Sequence, residues 1–171
     1  MSEAMALFMG QLLITGELLN KVAAPLFKRK YPFLRELSLK IVDDFVTAEI
    51  AGRYKLLGFK GYVAVHLIEF IFEPSVYRVD LQLSTELQPR FLRPLFMALL
   101  RKQLLRRPGV SWSGHCLSLD LAEMPFFLRI REMPAWGELF SMLEITRDKD
   151  SRGLLFNLFL HEPGLSDSRR G

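Results

Sequence analysis

Apolar and polar residues alternate through residues 34–83, and this alternation predicts four consecutive β-strands. The four segments read LRELSLKIV, FVTAEIAGRYKLLG, GYVAVHLIEFIFEP and VYRVDLQL. Turn or break signals separate them at Asp43–Asp44, at FKG (59–61) and at Pro74–Ser75. Because these connections are short, we expect the four strands to form an antiparallel meander.

The third of these strands is apolar on both faces, although a half-buried strand needs only one apolar face. Counting outward from the turn at Pro74–Ser75, we expect the interior pairs Phe72–Tyr77, Phe70–Val79, Ile68–Leu81 and His66–Leu83. On the reverse face the same register predicts the pairs Ile71–Arg78, Glu69–Asp80 and Leu67–Gln82. Arg78 would offset the repulsion between Glu69 and Asp80. The pattern leaves open what covers Val63, Val65 and Leu67.

Helical spacing of apolar residues predicts a long helix over residues 3–24, ended or kinked by Pro25. A second helix is predicted within STELQPRFLRPLFMALLRKQLLRRPG (84–109). Ser84 or Thr85 can cap it, and Pro94 fits best in the first turn, so the regular helix begins around residue 92 or 93. Residues 91–100 are apolar on nearly every side. Basic residues bracket them: Arg90, Arg93, Arg101, Lys102, Arg106 and Arg107.

The rest of the chain returns to strands. VSWSGHCLSLDL predicts one strand, and AEMPFFLRIREMPAWG, with two Met-Pro pairs, predicts an irregular segment or short helix. ELFSMLEIT and LLFNLFLHE predict a final hairpin around the polar turn RDKDSRG. We therefore expect an α+β fold, a curved antiparallel sheet of about seven strands packed on two long apolar helices. Residues 1–164 would form one domain, and 165–171 a disordered polar tail.

Composition favours a packed, intracellular protein. Hydrophobic residues make up 50% of the 171-residue chain, which argues against disorder, and a single cysteine, Cys116, cannot form an internal disulfide. The first residues lack the positive region of a secretion signal, and no apolar run reaches the roughly 18 residues that a membrane span needs. We expect a location in the cytoplasm or at the membrane periphery. The net charge of +4 fits either a basic surface alone or affinity for anionic surfaces.

No arrangement of residues predicts catalysis. His66, His115 and His161 lack metal-site spacing, and the chain contains no P-loop, GxGxxG or GxSxG motif. We expect no catalytic residue, metal or cofactor, with His66 a hydrogen-bonded core residue and Cys116 a small buried side chain. The basic residues at 90–107 could contact nucleic acid, but the leucine and phenylalanine among them argue against it.

A helix that is apolar nearly all round and cationic at both ends suits three environments. It can lie in the core, pack in an oligomer, or lie in the interfacial region of a membrane, where arginine side chains reach the phosphates. Only two long helices are predicted as covers, so the core alone does not explain strands that are apolar on both faces.

Residues 37–83, preceded by a long apolar helix, resemble the tubular lipid-binding (TULIP) superfamily in the order of the predicted elements and in the pattern of apolar residues along the strands. Members include the bactericidal/permeability-increasing proteins and small bacterial single-domain relatives, in which a curved antiparallel sheet wraps a long helix around an apolar channel. The chain departs from the family in lacking an export signal and in placing its second long helix before the last three strands.

The resemblance implies a non-enzymatic protein that binds a lipid or another amphiphile in an apolar groove between sheet and helices. It implies a lipid-binding wall of Tyr62, Ile68, Phe70, Phe72, Tyr77, Val79, Leu81, Leu92, Leu95, Phe96, Leu99, Phe156 and Leu158. Headgroup phosphates would meet Arg90, Arg93, Arg101 and Arg106, and an anionic membrane surface is a further partner. The alternative is an assembly subunit whose apolar surfaces are covered by its own copies or by another protein.

Overall fold

A computed structural model describes residues 6–150 and 152–161 of the chain. These residues form nine strands, four α-helices and one 3₁₀ turn (Leu121–Glu123). The first half contains β1 (Ala6–Thr15), α1 (Gly16–Lys30), β2 (Leu34–Val42), β3 (Phe45–Tyr54), β4 (Leu57–Glu73) and β5 (Val76–Gln88). The second half contains α2 (Leu92–Leu104), β6 (Val110–Ser113), β7 (Cys116–Asp120), α3 (Pro125–Glu132), α4 (Pro134–Met142), β8 (Leu143–Asp150) and β9 (Gly153–His161).

All nine strands join one antiparallel sheet in the order β1-β9-β8-β4-β5-β7-β6, with β3 and then β2 attached to β4. The α+β class and the meander β2-β3-β4-β5 are confirmed. The expected count of seven strands is wrong, because VSWSGHCLSLDL folds as a hairpin turned at Gly114 and because an N-terminal strand exists. Two long helices are also too simple a description. α1 has 15 residues and α2 has 13, and the two Met-Pro pairs start two further helices with proline at the first helical position.

The predicted helix over residues 3–24 is wrong in its first half. Residues 6–15 form β1, which pairs antiparallel with β9 along its length. The helix starts only at Gly16, where the Thr15 hydroxyl accepts a hydrogen bond from the Leu18 N–H at 3.2 Å. It then continues through Pro25 to Lys30. Residues 3–5 of the prediction and the predicted tail 165–171 lie outside the described residues.

β4 has 17 residues, and its pairing divides along one edge. One edge of β4 pairs with β5 over Lys60–Glu73. The opposite edge pairs first with β3, up to His66, and then with β8 at Phe72. We call the place where β3 leaves and β8 joins the fork. The predicted break at FKG (59–61) is wrong, since these residues continue β4.

A β-bulge at Ile68 changes which residues of β4 share a face. The pairs Phe72–Tyr77 and Phe70–Val79 are confirmed, as are Ile71–Arg78 and Glu69–Asp80 on the reverse face. Beyond the bulge Leu67 pairs with Leu81, and His66 pairs with Gln82, so the predicted pairs Ile68–Leu81, His66–Leu83 and Leu67–Gln82 are wrong. The extra residue brings Val63, Val65 and Leu67 onto the same face as Phe70 and Phe72. We call this the inner face.

Helices cover both ends of the inner face. Val63 and Val65 pack with the buried residues Leu83, Trp112 and Leu117. The same cluster includes Met97, Leu100 and Leu104 of α2. For Val63 and Val65, the cover that the sequence left open is therefore α2.

Aromatic residues of α3 and α4 cover the other end of the inner face. The ring of Phe127 lies 5.7 Å from both Phe72 and Tyr77, and Phe140 lies 6.1 Å from Phe72. The Tyr77 hydroxyl donates a hydrogen bond to the Phe140 carbonyl at 3.0 Å. α2, α3 and α4 thus form one helical layer over the inner face.

Candidate membrane-binding surface and groove

Seven residues of the predicted lipid-binding wall lie together on the inner face. They are Phe70, Phe72, Tyr77, Val79, Leu81, Phe156 and Leu158. The rings of Phe70 and Phe156 lie 5.1 Å apart, and Phe72 and Tyr77 are buried. Phe127 and Phe140 fill the space above this end of the wall. These contacts show that this part of the wall belongs to the packed core.

Two residues of the predicted wall lie elsewhere. Ile68 occupies the bulge and is exposed, and Tyr62 lies on the outer face of β4, opposite Glu86 of β5. Hydrogen bonding to the Glu86 carboxylate raises the pKa of Tyr62 above its ordinary value, with smaller contributions from desolvation and from the charge of Glu86. Tyr62 therefore belongs to a polar surface instead of the apolar wall.

Helix α2 divides its residues between the core and the surface. Met97, Leu100 and Leu104 contact the core, whereas Leu92 and Phe96 of the predicted wall are half-buried. Leu95 and Leu99, also predicted for the wall, are exposed. The spacing of three and four residues between 97, 100 and 104 is typical of a buried helix face, but the exposed residues 91, 95 and 99 are also apolar at helical spacing, so periodicity alone does not identify the core side of α2.

The exposed side of α2 carries an apolar stripe. Phe91, Leu95 and Leu99 follow one another at intervals of four residues and are exposed to 63%, 56% and 52%. We call these three residues the α2 stripe. α3 and α4, in the same helical layer, also expose large apolar residues, namely Phe126 and Trp136. The helical layer therefore presents apolar side chains to its outside as well as to the sheet.

Basic residues surround the α2 stripe. No acidic residue occurs between Glu86 and Asp120, and the interval contains six basic residues: Arg90, Arg93, Arg101, Lys102, Arg106 and Arg107. All six are exposed, and within residues 6–150 and 152–161 none of them forms an ion pair. Their charge of +6 exceeds the net charge of the whole chain, +4. The positive charge of the protein is therefore concentrated on α2 and its flanking turns.

A groove of about 1020 Å³ adjoins the start of α2. Neighbouring residues of β2, β3, β4 and β5 line it, together with Lys28 of α1 and Arg90 and Arg93 beside and within α2. Its lining includes the apolar residues Leu37, Ile50, Ala51 and Leu87 and the charged residues Lys28, Glu36, Glu49, Lys60, Glu86, Arg90 and Arg93. Two of the four predicted headgroup residues thus line this groove, and the other two, Arg101 and Arg106, lie near the far end of α2.

A smaller cavity of about 340 Å³ lies at the fork. Residues 68–73 of β4 and 145–147 of β8 line it. It is the place where Ile68 comes near Phe70 and Phe72, three residues predicted for the same wall. Arg147 is one of the residues that line this cavity, and it forms an ion pair with Asp44 from the β2–β3 turn.

The groups considered for catalysis lie apart. His66 stacks on Phe45 with ring centroids 4.3 Å apart, and His161 pairs with Glu144. Cys116 is exposed, so its prediction as a small buried residue is wrong: the β6–β7 hairpin turns just before it and presents it to solvent. Arg78 lies 2.6 Å from Glu69 and 3.2 Å from Asp80, which confirms its predicted ion pairing. No group of three metal-ligating side chains occurs among the described residues.

Within the described part of the chain, each helix is too short or too polar to cross a membrane. Comparison of the chain with protein-family models, with curated proteins and with solved structures finds no match.

Proposed function

We propose that the protein binds the surface of an anionic membrane through α2. The observation that carries this proposal is the α2 stripe of exposed apolar residues within a region that has six basic residues and no acidic one. Interfacial helices have this composition: apolar side chains enter the headgroup region, and arginine or lysine side chains stay at the level of the phosphates. A helix facing water alone would not need three large apolar residues on its outer side.

The magnitudes support binding that is reversible and depends on charge. Fully burying a leucine or phenylalanine side chain contributes about 1.5–3 kcal/mol, so the roughly half-exposed stripe contributes about 3 kcal/mol in total. Each basic residue near an anionic leaflet adds about 1 kcal/mol, so six add at most about 6 kcal/mol. Because the electrostatic contribution is the larger one, we expect binding to weaken steeply with salt.

The groove extends this proposal to a single bound amphiphile. Arg90 and Arg93 belong both to the cationic surround of the stripe and to the groove lining. When α2 lies on a membrane, these two arginines bring the groove to the level of the headgroups. A lipid or another anionic amphiphile could then enter with its phosphate at Arg90 and Arg93. Native mass spectrometry of the gently purified protein tests this step, and a retained phospholipid mass is the expected result.

Flotation with vesicles tests the membrane proposal. We expect the protein to float with vesicles containing phosphatidylglycerol and to remain in the soluble fraction with phosphatidylcholine alone. Arg101→Glu with Arg106→Glu removes two attractive charges and adds two repulsive ones, worth together about 3–4 kcal/mol. This corresponds to a loss of roughly 100- to 1000-fold in affinity.

A matched control variant makes the same change in net charge at positions outside α2. Arg35→Glu with Arg53→Glu reverses two exposed arginines on β2 and β3 that belong neither to α2 nor to the groove lining. The control should reduce flotation only through the net charge, by far less than the α2 variant. Equal losses from the two variants would show that charge alone, and not the α2 surface, determines binding. Unchanged flotation of the α2 variant would refute the proposal.

A further inference from the structure

The sheet has three outer strands, and two of them are protected from pairing with another chain. At β2, the Asn20 side chain of α1 occupies the edge: its amide donates to the Leu39 carbonyl at 2.6 Å, and its oxygen accepts from the Leu39 N–H at 2.7 Å. At the far end, β6 has only four residues. Helix cover and short length are both common ways of preventing edge-to-edge association.

The third outer strand, β1, lacks these two protections. It has ten residues, pairs with β9 on one side, and has no strand on its other side within the described residues. From Ala6 to Thr15 it contains neither a charged residue nor a proline. It also exposes four large apolar side chains, those of Leu7, Phe8, Met9 and Leu12. A bulge at Met9 interrupts the strand, and the run from Gly10 to Thr15 is regular.

We propose that two copies of this chain associate through β1, with the two β1 strands antiparallel across a two-fold axis. This inference goes beyond the proposed function, because α2 is not part of the contact. An added strand satisfies the outward-facing N–H and C=O groups of Gly10–Thr15, which an apolar surface or a lipid cannot do. The second copy is favoured as the occupant because an uncharged strand pairs with itself without bringing like charges together.

The area that β1 offers matches a modest dimer. If all four exposed side chains became fully covered in both copies, the buried side-chain surface would be at most roughly 800 Å², and Leu7, Phe8 and Met9 lie outside the paired run Gly10–Thr15. With the paired backbone edges the total stays below about 1,200 Å², the size of weak and transient interfaces. We therefore expect a dimer that forms in the micromolar range and dissociates on dilution.

Hydrogen exchange of the wild-type protein tests the inference without any substitution. Sedimentation velocity over increasing concentration should show a monomer–dimer equilibrium. Over the same range, amide exchange in peptides covering residues 7–15 should slow, while exchange in residues 110–120 should not change. A protein that stays monomeric at 200 μM, about two orders of magnitude above a low micromolar dissociation constant, would overturn the proposal. A dimer with unchanged exchange at 7–15 would overturn it equally.

A pair of matched variants locates the contact. Leu12→Lys places a charge from each copy in the interface and should weaken association at least tenfold. Leu57→Lys is the control, because Leu57 lies at the start of β4 and is 49% exposed, close to the 51% of Leu12. The control should keep the wild-type dissociation constant within twofold. If the two variants weaken association equally, β1 is not the contact. Vesicle flotation of Leu12→Lys should match that of Leu57→Lys, which carries the same added charge, and this separates the test from that of α2.

Discussion

The ion pair between Asp44 and Arg147 joins two parts of the sheet that are distant in sequence. Asp44 lies in the β2–β3 turn and Arg147 in β8, and the two side chains meet at the fork. Both are largely buried, with side-chain exposures of 23% and 16%. The Asp44 carbonyl also accepts a hydrogen bond from the Leu67 N–H at 3.0 Å. Burial lowers the pKa of Arg147, as expected for a cation with little contact with water.

We expect Asp44→Asn to destabilise the fold by about 2 kcal/mol. Removing one partner of a fully buried ion pair costs about 3–5 kcal/mol, because the remaining charge is left uncompensated. The residual exposure of both groups reduces this value. The Nε atom of Arg147 is buried and has no hydrogen-bond partner among the described residues, so the guanidinium has little alternative solvation. For a chain of this length, about 2 kcal/mol corresponds to a fall in Tm of roughly 4–8 °C.

Urea unfolding followed by circular dichroism measures the effect, and two further variants define its cause. Asp43→Asn is the control, because Asp43 is exposed and has a φ of 52°, a conformation that asparagine tolerates. It should change the free energy of unfolding by less than about 0.5 kcal/mol. Arg147→Met combined with Asp44→Asn should be more stable than Asp44→Asn alone, since no buried charge is left unpaired. If Asp44→Asn costs no more than Asp43→Asn, the ion pair does not hold the fork together.

Two further predictions concern β4. Glu86→Gln should lower the pKa of Tyr62, because the carboxylate that raises this pKa is removed. An absorbance titration at 295 nm measures the shift, and the Tyr62→Phe variant identifies the contribution of Tyr62. An unchanged pKa would contradict the assignment. Since the folded-state pKa is raised, the stability gained from this pair is present below the unfolded pKa and is lost as the pH rises through the folded value. Deleting Ile68 should leave a folded protein, because Leu67 and Glu69 then continue a regular ladder with Leu81 and Asp80. Deleting Ala64 instead should abolish cooperative thermal unfolding, since it reverses the faces of the adjoining residues; a folded Ala64 deletion would show that the inner face does not fix the register.

The hairpin β4–β5 shows how many cross-strand pairs can be predicted from the local sequence pattern. Alternation and the turn at Pro74–Ser75 were enough to predict Phe72–Tyr77 and Phe70–Val79, because register counts outward from a tight turn. The count failed beyond Ile68, where the strand contains one extra residue. Two-fold alternation contains no signal for a bulge when both faces of a strand are apolar. The assignment of Val63 and Val65 to the inner face therefore needed the structure.

The sequence by itself determined the α+β class, the meander of residues 34–83, the position of α2, and the concentration of positive charge between residues 87 and 119; that residues 84–88 continue β5, instead of capping the second helix at Ser84 or Thr85 as predicted, needed the structure. These features depend on residues that are close together in the chain: alternation, turn residues, proline positions and the order of charges. The tertiary structure decided that residues 6–15 form a strand, because a short apolar run takes its conformation from the partner it meets, here β9. It also decided which side of α2 faces the core and that Asp44 meets Arg147. These outcomes depend on contacts between residues far apart in sequence, and periodicity along the chain does not encode such contacts.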